Sequence, residues 1–304
     1  MNRTVVLLST YNGEKYIKEQ IESILNQDRI EVDIMIRDDG SKDQTIKILK
    51  GFQDDRIFLY TGENIGYAKS FMWLLDKAYR EKKYSYFSFC DQDDIWDVKK
   101  LYTAIDKLDH KFEEKPQLYF SNLLITNSNG EVIGKKTFHD RSFSFGSALI
   151  RSNIAGCTML FNEKLVEKVL KDCSFYKLDL SHDSWVYKVA WAVNANIVYD
   201  EESYIKFRRH EDTVTNLKRG VSKRIKTEWK KTFREKGNIQ SYSKVLLETY
   251  SEEVSLSNKS ILKDIINYKS SVYKKINLIK NKQIRTSNLT LDLLTLFKIV
   301  FNLL

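Results

Sequence analysis

Cysteine is scarce. Three residues (Cys90, Cys157, Cys173) among 304 make an odd count with no CxxC or Cys/His spacing. That excludes a disulfide framework, argues against a structural zinc site, and makes a reducing compartment the expectation. One proline, Pro116, and 11 glycines exclude collagen-like and Pro-rich linker classes. Long apolar runs are missing too: nothing approaches the roughly 18 residues a spanning helix needs. Val5–Leu8 is too short for a signal-peptide core. What is present is globular in kind. Hydrophobic residues make up 42% and charged residues 30%, enough for a sizeable core in one large domain or two.

The net charge of +9 is unevenly placed. Residues 1–216 hold 31 Lys/Arg against 34 Asp/Glu, whereas residues 217–304 hold 19 against 7. The whole basic excess lies in the C-terminal third. Such asymmetry points to an anionic partner, nucleic acid or a membrane surface; a Lys-rich solvated helical region is the plainer alternative.

Residues 1–125 alternate between two periods. Short apolar, β-branched runs at Arg3–Ser9, Glu31–Arg37, Arg56–Tyr60 and Tyr84–Cys90 predict strands. Between them, apolar spacing predicts helices over Glu14–Gln27, 43–51, Gly66–Arg80 and, after the fourth strand, Val98–Leu108. This alternation predicts a parallel α/β sheet, whose ligands bind beyond the carboxyl ends of the strands. Leu118–Thr126, Glu131–Ile133, Ile197–Asp200 and Tyr204–Arg208 read as later strands, and Leu165–Leu170 and Trp185–Val193 as helices. A boundary is expected near Asn216–Gly220, giving a catalytic unit of 1–216 and a basic helical region of 217–304.

Polar clusters fall at the predicted strand ends. They are Thr10-Tyr11-Asn12-Gly13, Asp38-Asp39-Gly40-Ser41, Asn64-Ile65-Gly66 and Asp91-Gln92-Asp93-Asp94. Any one is an ordinary loop; four on one edge outline a site. The acidic cluster carries the most chemistry. Its three carboxylates repel one another unless a cation or donors neutralise them, and oxygen ligands suit Mg²⁺ or Mn²⁺ bound together with substrate phosphates. Along an extended segment, Asp91 and Asp93 would face one side. A helix cap from Asp94 or Asp97 explains one carboxylate and leaves two. Asp38 and Asp39 would accept hydrogen bonds from a nucleobase or ribose, or simply form a turn. Asn64 and Gly66 would let a helix N-terminus approach a phosphate or sugar. Asp183, after His182, would be a general base or an N-cap. Arg208 or His210 would neutralise a leaving diphosphate or join the metal shell, or belong to a surface basic run.

These segments resemble bacterial family 2 glycosyltransferases of the GT-A fold. VVLLSTYNGEKYIKEQIESILNQ, IMIRDDGSKDQT, ENIGYAKSF and FSFCDQDDIW match that family's motifs in order and spacing. DQDDIW, AGCTMLFN, the His182-Asp183-Ser184-Trp185 run and RRHEDTVTN are similar to the rhamnosyltransferase-like branch that uses dTDP-L-rhamnose. Arg209 and Asp212-Thr213 stand where that branch commonly has Gln and an Asn pair. The resemblance implies a Rossmann-like mixed sheet flanked by helices, with a helical C-terminal extension. It implies that Thr10, Tyr11, Asn12, Asp38, Asp39, Asn64 and Gly66 bind the donor, with Asp91 on the ribose or diphosphate side. It further implies Asp93 at the metal and Asp183 as acceptor base. The implied reaction is inverting transfer from a nucleotide sugar to a hydroxyl of a cell-surface polysaccharide or lipid-linked glycan; a UDP-sugar transferase is the alternative. The expected location is cytoplasmic, peripheral on the inner face of the cell membrane.

A nucleotidyltransferase on a related sheet would need a Gly-rich, Lys/Arg-bearing loop after the first strand, which Ser9–Gly13 lacks. A nucleic-acid binder would interleave aromatic residues and cations on a sheet face and would leave the Asp clusters unexplained, so no nucleic-acid partner is expected. At the C-terminal end, Asn288, Asp292, Thr295, Lys298 and Asn302 fall on one helical face, with Leu289, Leu293, Leu296, Phe297, Val300, Phe301 and Leu304 over the rest. This predicts either an in-plane contact with an anionic membrane or a helix packed on the catalytic domain or a dimer partner.

Overall fold

The computed structural model describes residues 3–108, 114–138, 143–152, 154–209 and 236–304. Its first half is the expected strand–helix alternation. The elements are β1 (Thr4–Thr10), α1 (Ile17–Leu25), β2 (Val32–Asp38), α2 (Thr45–Gly51), β3 (Ile57–Thr61), α3 (Tyr67–Arg80) and β4 (Tyr86–Cys90). β3, β2, β1 and β4 lie side by side in parallel. Parallel neighbours need crossover helices, and helices on both faces leave the strands dry; every residue of β2 and β4 is buried. Successive side chains alternate between two cores. Val5, Leu7, Met35, Phe87 and Phe89 enter one, and Val6, Leu8, Ile34, Ile36 and Tyr86 the other.

The second half turns the sheet mixed. β5 (Ile95–Trp96), α4 (Lys100–Lys107), β6 (Gln117–Thr126), β7 (Val132–Lys136), α5 (Phe145–Ile150), β8 (Leu160–Asn162), α6 (Glu163–Val169), α7 (His182–Ala192) and β9 (Asn196–Arg208) follow. β8 is wedged antiparallel between β4 and β6. β6 runs parallel to β9, and β5 pairs antiparallel with β9. The two late strands expected at Ile197–Asp200 and Tyr204–Arg208 are one long strand. Asp200, Glu201 and Glu202 read as a break, but β9 carries them past β6 through shifts of register around Ser121 and Asn122.

Beyond residue 235 lie α8 (Asn238–Thr249), α9 (Leu256–Asn267), α10 (Val272–Lys280) and α11 (Leu289–Val300). The expected boundary near Asn216–Gly220 lies outside the described residues. The helices after it share one hydrophobic cluster with α5 and α7: Tyr242, Leu246, Leu262 and Ile299 are continuous with Leu149 and Trp185. The Tyr242 hydroxyl donates to the Leu149 carbonyl, and Tyr250 Oη to the Lys168 carbonyl at 2.7 Å. Among the described residues, no helix is long and apolar enough to cross a membrane.

Candidate active site

The sheet register aligns the strand ends. Thr10 pairs with Asp38, and Asp38 with Thr61, while Leu8 pairs with Cys90 just before the acidic loop. Four loops therefore leave one edge together. Side chains stitch them through backbone groups. The Asn12 amide donates to Ser41 Oγ (2.8 Å), the Lys42 amide to Asn12 Oδ1 (2.9 Å) and the Gly13 amide to Thr45 Oγ1 (2.8 Å). Asp38 is fully buried; its carboxylate accepts from the Gly40 amide (3.0 Å) and the Ser41 amide (2.8 Å) and from the Ser41 hydroxyl. Gly40, at φ +80°, makes that turn. Asp39 is buried and ion-paired with Arg37. Asn64 Oδ1 accepts from the Gly66 amide (3.0 Å), and Gly66 at φ +82° starts α3. Tyr11 and Tyr67 stay exposed beside these turns.

Gln92 joins the first loop to the acidic one. Its Oε1 accepts from the Thr10 hydroxyl (2.6 Å) and the Tyr11 amide (2.9 Å), and its Nε2 donates to the Tyr11 carbonyl (3.3 Å). Gly13 permits the approach, since a β-carbon there would lie 2.6 Å from Gln92 Oε1. The acidic loop turns at residues 92–93 instead of staying extended. The alternation that paired Asp91 with Asp93 is therefore lost. Ligand atoms of Asp91, Asp94 and Cys157 lie within 4.8 Å of one another, and Asp93 is not in that group.

Asp94 is not a helix cap. It is fully buried, with Oδ1 accepting the Arg208 amide at 3.3 Å and Oδ2 left without a hydrogen-bond partner. Asp97 is not the cap either: it accepts the Lys99 amide at 2.9 Å in a turn just before α4, whose N-cap is Lys99. Arg208 is buried and braces the acidic loop from β9. Its guanidinium donates to the Asp93 carbonyl (3.1 Å), the Ser128 carbonyl (2.9 Å) and Glu19, and stacks over Tyr16. Each of the three guanidinium nitrogens thus has a protein partner. His210 lies outside the described residues.

A further contribution comes from α7. Ser181 is its N-cap, so Asp183 sits in the first turn and is not the cap. Asp183 Oδ1 accepts the Ser184 amide at 2.7 Å. His182 is buried, stacked on Phe71 with centroids 4.0 Å apart and edge-on to Phe89 at 4.5 Å. Burial pushes its pKa down to about 4, so the ring is neutral at pH 7. A short 3₁₀ turn at Gly156–Thr158 presses on this corner.

The electrostatics tie the two sides together. Burial first, then the charges of Asp93 and Asp183, hold the Asp91 carboxyl well above the usual carboxylate range. The same field, after burial, raises the Tyr67 phenol, with Asp183 and Asp91 its leading charges. Tyr67 also sits edge-on to His182, the neighbour of Asp183, with ring centroids 6.1 Å apart. Asp94 is also raised, by burial and then by Asp91 and Asp93. Clustered carboxylates and a buried oxygen with no donor are what a hard cation relieves, so these residues fit Mg²⁺ or Mn²⁺. Burial, then the charges of Asp94 and Asp91, raises the Cys157 thiol, whose side chain hydrogen-bonds Asp94.

The structure brings Thr10, Tyr11, Asn12, Asp38, Asp39, Asn64, Gly66, Asp91, Asp93 and Asp183 to one sheet edge, with Arg208 behind it. Within that set, Asp38, Asp39 and Arg208 also make hydrogen bonds or ion pairs with the protein. Gln92, Tyr67 and Gly156 carry geometry that the sequence reading passed over. The position of Gln92 inside the acidic cluster was the available signal for its role.

Residues 5–167 match the model of Glycosyl transferase family 2. The chain belongs to that family. Over 215 residues it is 30% identical to the dTDP-rhamnosyl transferase RfbG of Shigella flexneri, covering 67% of this chain and 72% of that one. It superposes on S. aureus TarS 1–349 in complex with UDP-GlcNAc with a TM-score of 0.57 at 16% identity, covering 99% of this chain and 82% of that one. A mannosyltransferase of Pyrobaculum calidifontis, PcManGT, in complex with GDP-Man and Mn²⁺ gives 0.51 at 15% identity, covering 91% and 71%. At these identities the two structures establish the fold alone. For this family 2 glycosyltransferase, the fold is GT-A: a mixed sheet flanked by helices, with further helices at the C-terminal end.

Proposed function

We propose that this glycosyltransferase is an inverting enzyme that moves L-rhamnose from dTDP-L-rhamnose to a hydroxyl of a cell-surface polysaccharide or lipid-linked oligosaccharide. We place its catalytic unit at 1–216 and its work on the cytoplasmic side of the membrane. The observation that supports the reading is the packing of the start of α7 on the end of β4: His182 lies edge-on to Phe89, next to the acidic loop, and Asp183 beside it adds its charge to the field at Asp91. We assign the Asp183 carboxylate, which is outside the acidic cluster in sequence, to the acceptor side. The similarity to RfbG supports the rhamnosyl assignment. A UDP-sugar donor is the second reading, favoured by the likeness to a TarS complex with UDP-GlcNAc.

In this mechanism Asp183 takes the proton of the acceptor hydroxyl as its oxygen bonds to C1 of the sugar. The C1–O bond to the nucleoside diphosphate breaks, and its electron pair leaves on the diphosphate. One displacement inverts the anomeric centre. Tyr11 and Asn64, on the stitched loops, line the nucleoside side. The sequence pattern names Asp93 as ligand of Mg²⁺ or Mn²⁺, and the convergence of oxygens names Asp91 and Asp94. Bound there, the ion would neutralise charge on the leaving diphosphate.

Donor hydrolysis tests the proposal, because it needs no known acceptor. dTDP-L-rhamnose, UDP-glucose, UDP-galactose and UDP-GlcNAc would be compared with Mg²⁺, with Mn²⁺ and with chelator. The expected result is fastest hydrolysis of dTDP-L-rhamnose and loss of activity in chelator. Preference for a UDP-sugar would move the assignment to the second reading. Full activity in excess chelator would remove the metal.

A further inference from the structure

The helices α10 and α11 pack on the body with only part of their circumference. On α11, Thr295 and Ile299 face inward and are buried. Leu289, Leu293 and Val300 recur at helical spacing on the outward side and are 76%, 57% and 51% exposed. Phe301, just past the helix, is also exposed. On α10, Leu278 points in while Val272, Tyr273 and Ile276 are exposed. The helices are joined where Lys275 Nζ donates to the Val300 carbonyl at 3.2 Å. The polar face expected from the helical wheel thus does not face water as a whole: Thr295 turns into the protein and bonds the Leu291 carbonyl. Asp292 is likewise occupied, accepting from the Thr286 amide and hydroxyl.

The charge around this apolar line has one sign. Residues 268–304 carry seven Lys/Arg (Lys269, Lys274, Lys275, Lys280, Lys282, Arg285, Lys298) and a single acidic side chain, Asp292. Exposed Leu, Val, Tyr and Phe on a segment this rich in cations match a lipid surface, with acyl chains below and anionic headgroups above. A protein partner would need apolar area and acidic groups in fixed register, whereas a bilayer offers both at any register.

We propose that the outward face of α10 and α11 is a docking surface for an anionic lipid bilayer, lying in the membrane plane. This deepens the peripheral location proposed above and rests on that reading. Its failure and that of the transferase reading are separable: one is read by vesicle partition and the other by donor hydrolysis in vesicle-free buffer.

The test is co-sedimentation of the full chain with phosphatidylcholine vesicles and with vesicles containing about one third phosphatidylglycerol. The expected result is binding to the anionic vesicles and loss of binding at high salt. The double variant Leu293→Asp/Val300→Asp should lower the partition coefficient by about tenfold or more, since each exposed side chain gives up its lipid burial. Both positions face outward, so melting temperature and donor hydrolysis should stay unchanged. Ile133→Asp, an equally exposed apolar site on β7, should leave binding intact. The proposal is overturned by no binding to anionic vesicles, or by equal binding of the double variant. It is also overturned if the variant instead abolishes a concentration-dependent dimer in sedimentation, which would make this face a contact between two copies of the chain.

Discussion

Gly156 lies directly against Asp183. A β-carbon at position 156 would sit 3.0 Å from Asp183 Cβ and 3.1 Å from His182 Nε2. His182 has little room to yield, because Phe71 and Phe89 close on its ring. Gly156→Ala should therefore displace the Asp183 carboxylate by a few tenths of an ångström and cost about 1–3 kcal/mol of stability as an overpacked contact. Transfer kcat should fall far more than donor affinity, since the atoms a β-carbon would meet at Gly156 belong to Asp183 and His182 and not to the donor loops. A thermal melt and steady-state kinetics check it; unchanged kcat would show that this contact does not set the base.

Gln92 is expected to act as the latch between the first and acidic loops. Gln92→Ala leaves the Thr10 hydroxyl and Tyr11 amide without their acceptor and should cost about 1–3 kcal/mol. Thr10→Val removes one of the same bonds, so the two changes should be less than additive. Donor KM should rise in both variants. A double-mutant cycle with full additivity would deny the latch.

The parallel half of the sheet was legible because each strand there is short, dry and followed at once by a polar turn. β5 was not, since Ile95–Trp96 becomes a strand only by pairing with β9, more than a hundred residues on. α5 was missed because Gly146 weakens its local signal; the glycine is needed where the chain at Gln283 comes close, 2.7 Å from a β-carbon built there. At the site, Asp38 and Asp39 have the same sequence signature as ligand-binding carboxylates. What the sequence does not show is their local chemistry: Asp38 closes a turn on Gly40 and Ser41, and Asp39 pairs with Arg37. Arg208 likewise read as a free cation because Glu19, its partner, is distant in sequence.

His182 should give the fold a pH dependence of definite sign. Its folded pKa of about 4 lies below the ordinary 6.5, so the unfolded chain binds the proton more readily. The native state is then at full advantage above the unfolded value and loses stability as pH falls from there toward the folded value. The full effect is about 3 kcal/mol. Denaturant midpoints measured across that window should fall more steeply for the natural protein than for His182→Gln. Parallel curves would show that burial of this ring is not what the proton opposes.

Asp183→Asn distinguishes a base from a structural carboxylate. In the fold, Oδ1 of Asp183 accepts the Ser184 amide at 2.7 Å, and an asparagine oxygen can accept that bond equally well. Ser181 remains the cap of α7, so the helix start is unaffected. Melting temperature and donor affinity should stay close to those of the natural protein. The amide cannot take the acceptor's proton, so transfer should fall by roughly 10²–10⁴-fold. Donor hydrolysis by water should fall as well if Asp183 also activates water, and the ratio of the two losses reports which nucleophile the residue serves. Near-normal transfer by the Asn variant would take the base role from Asp183. The product's anomeric configuration checks the same step independently, since a single displacement must invert it and retention would rule the step out.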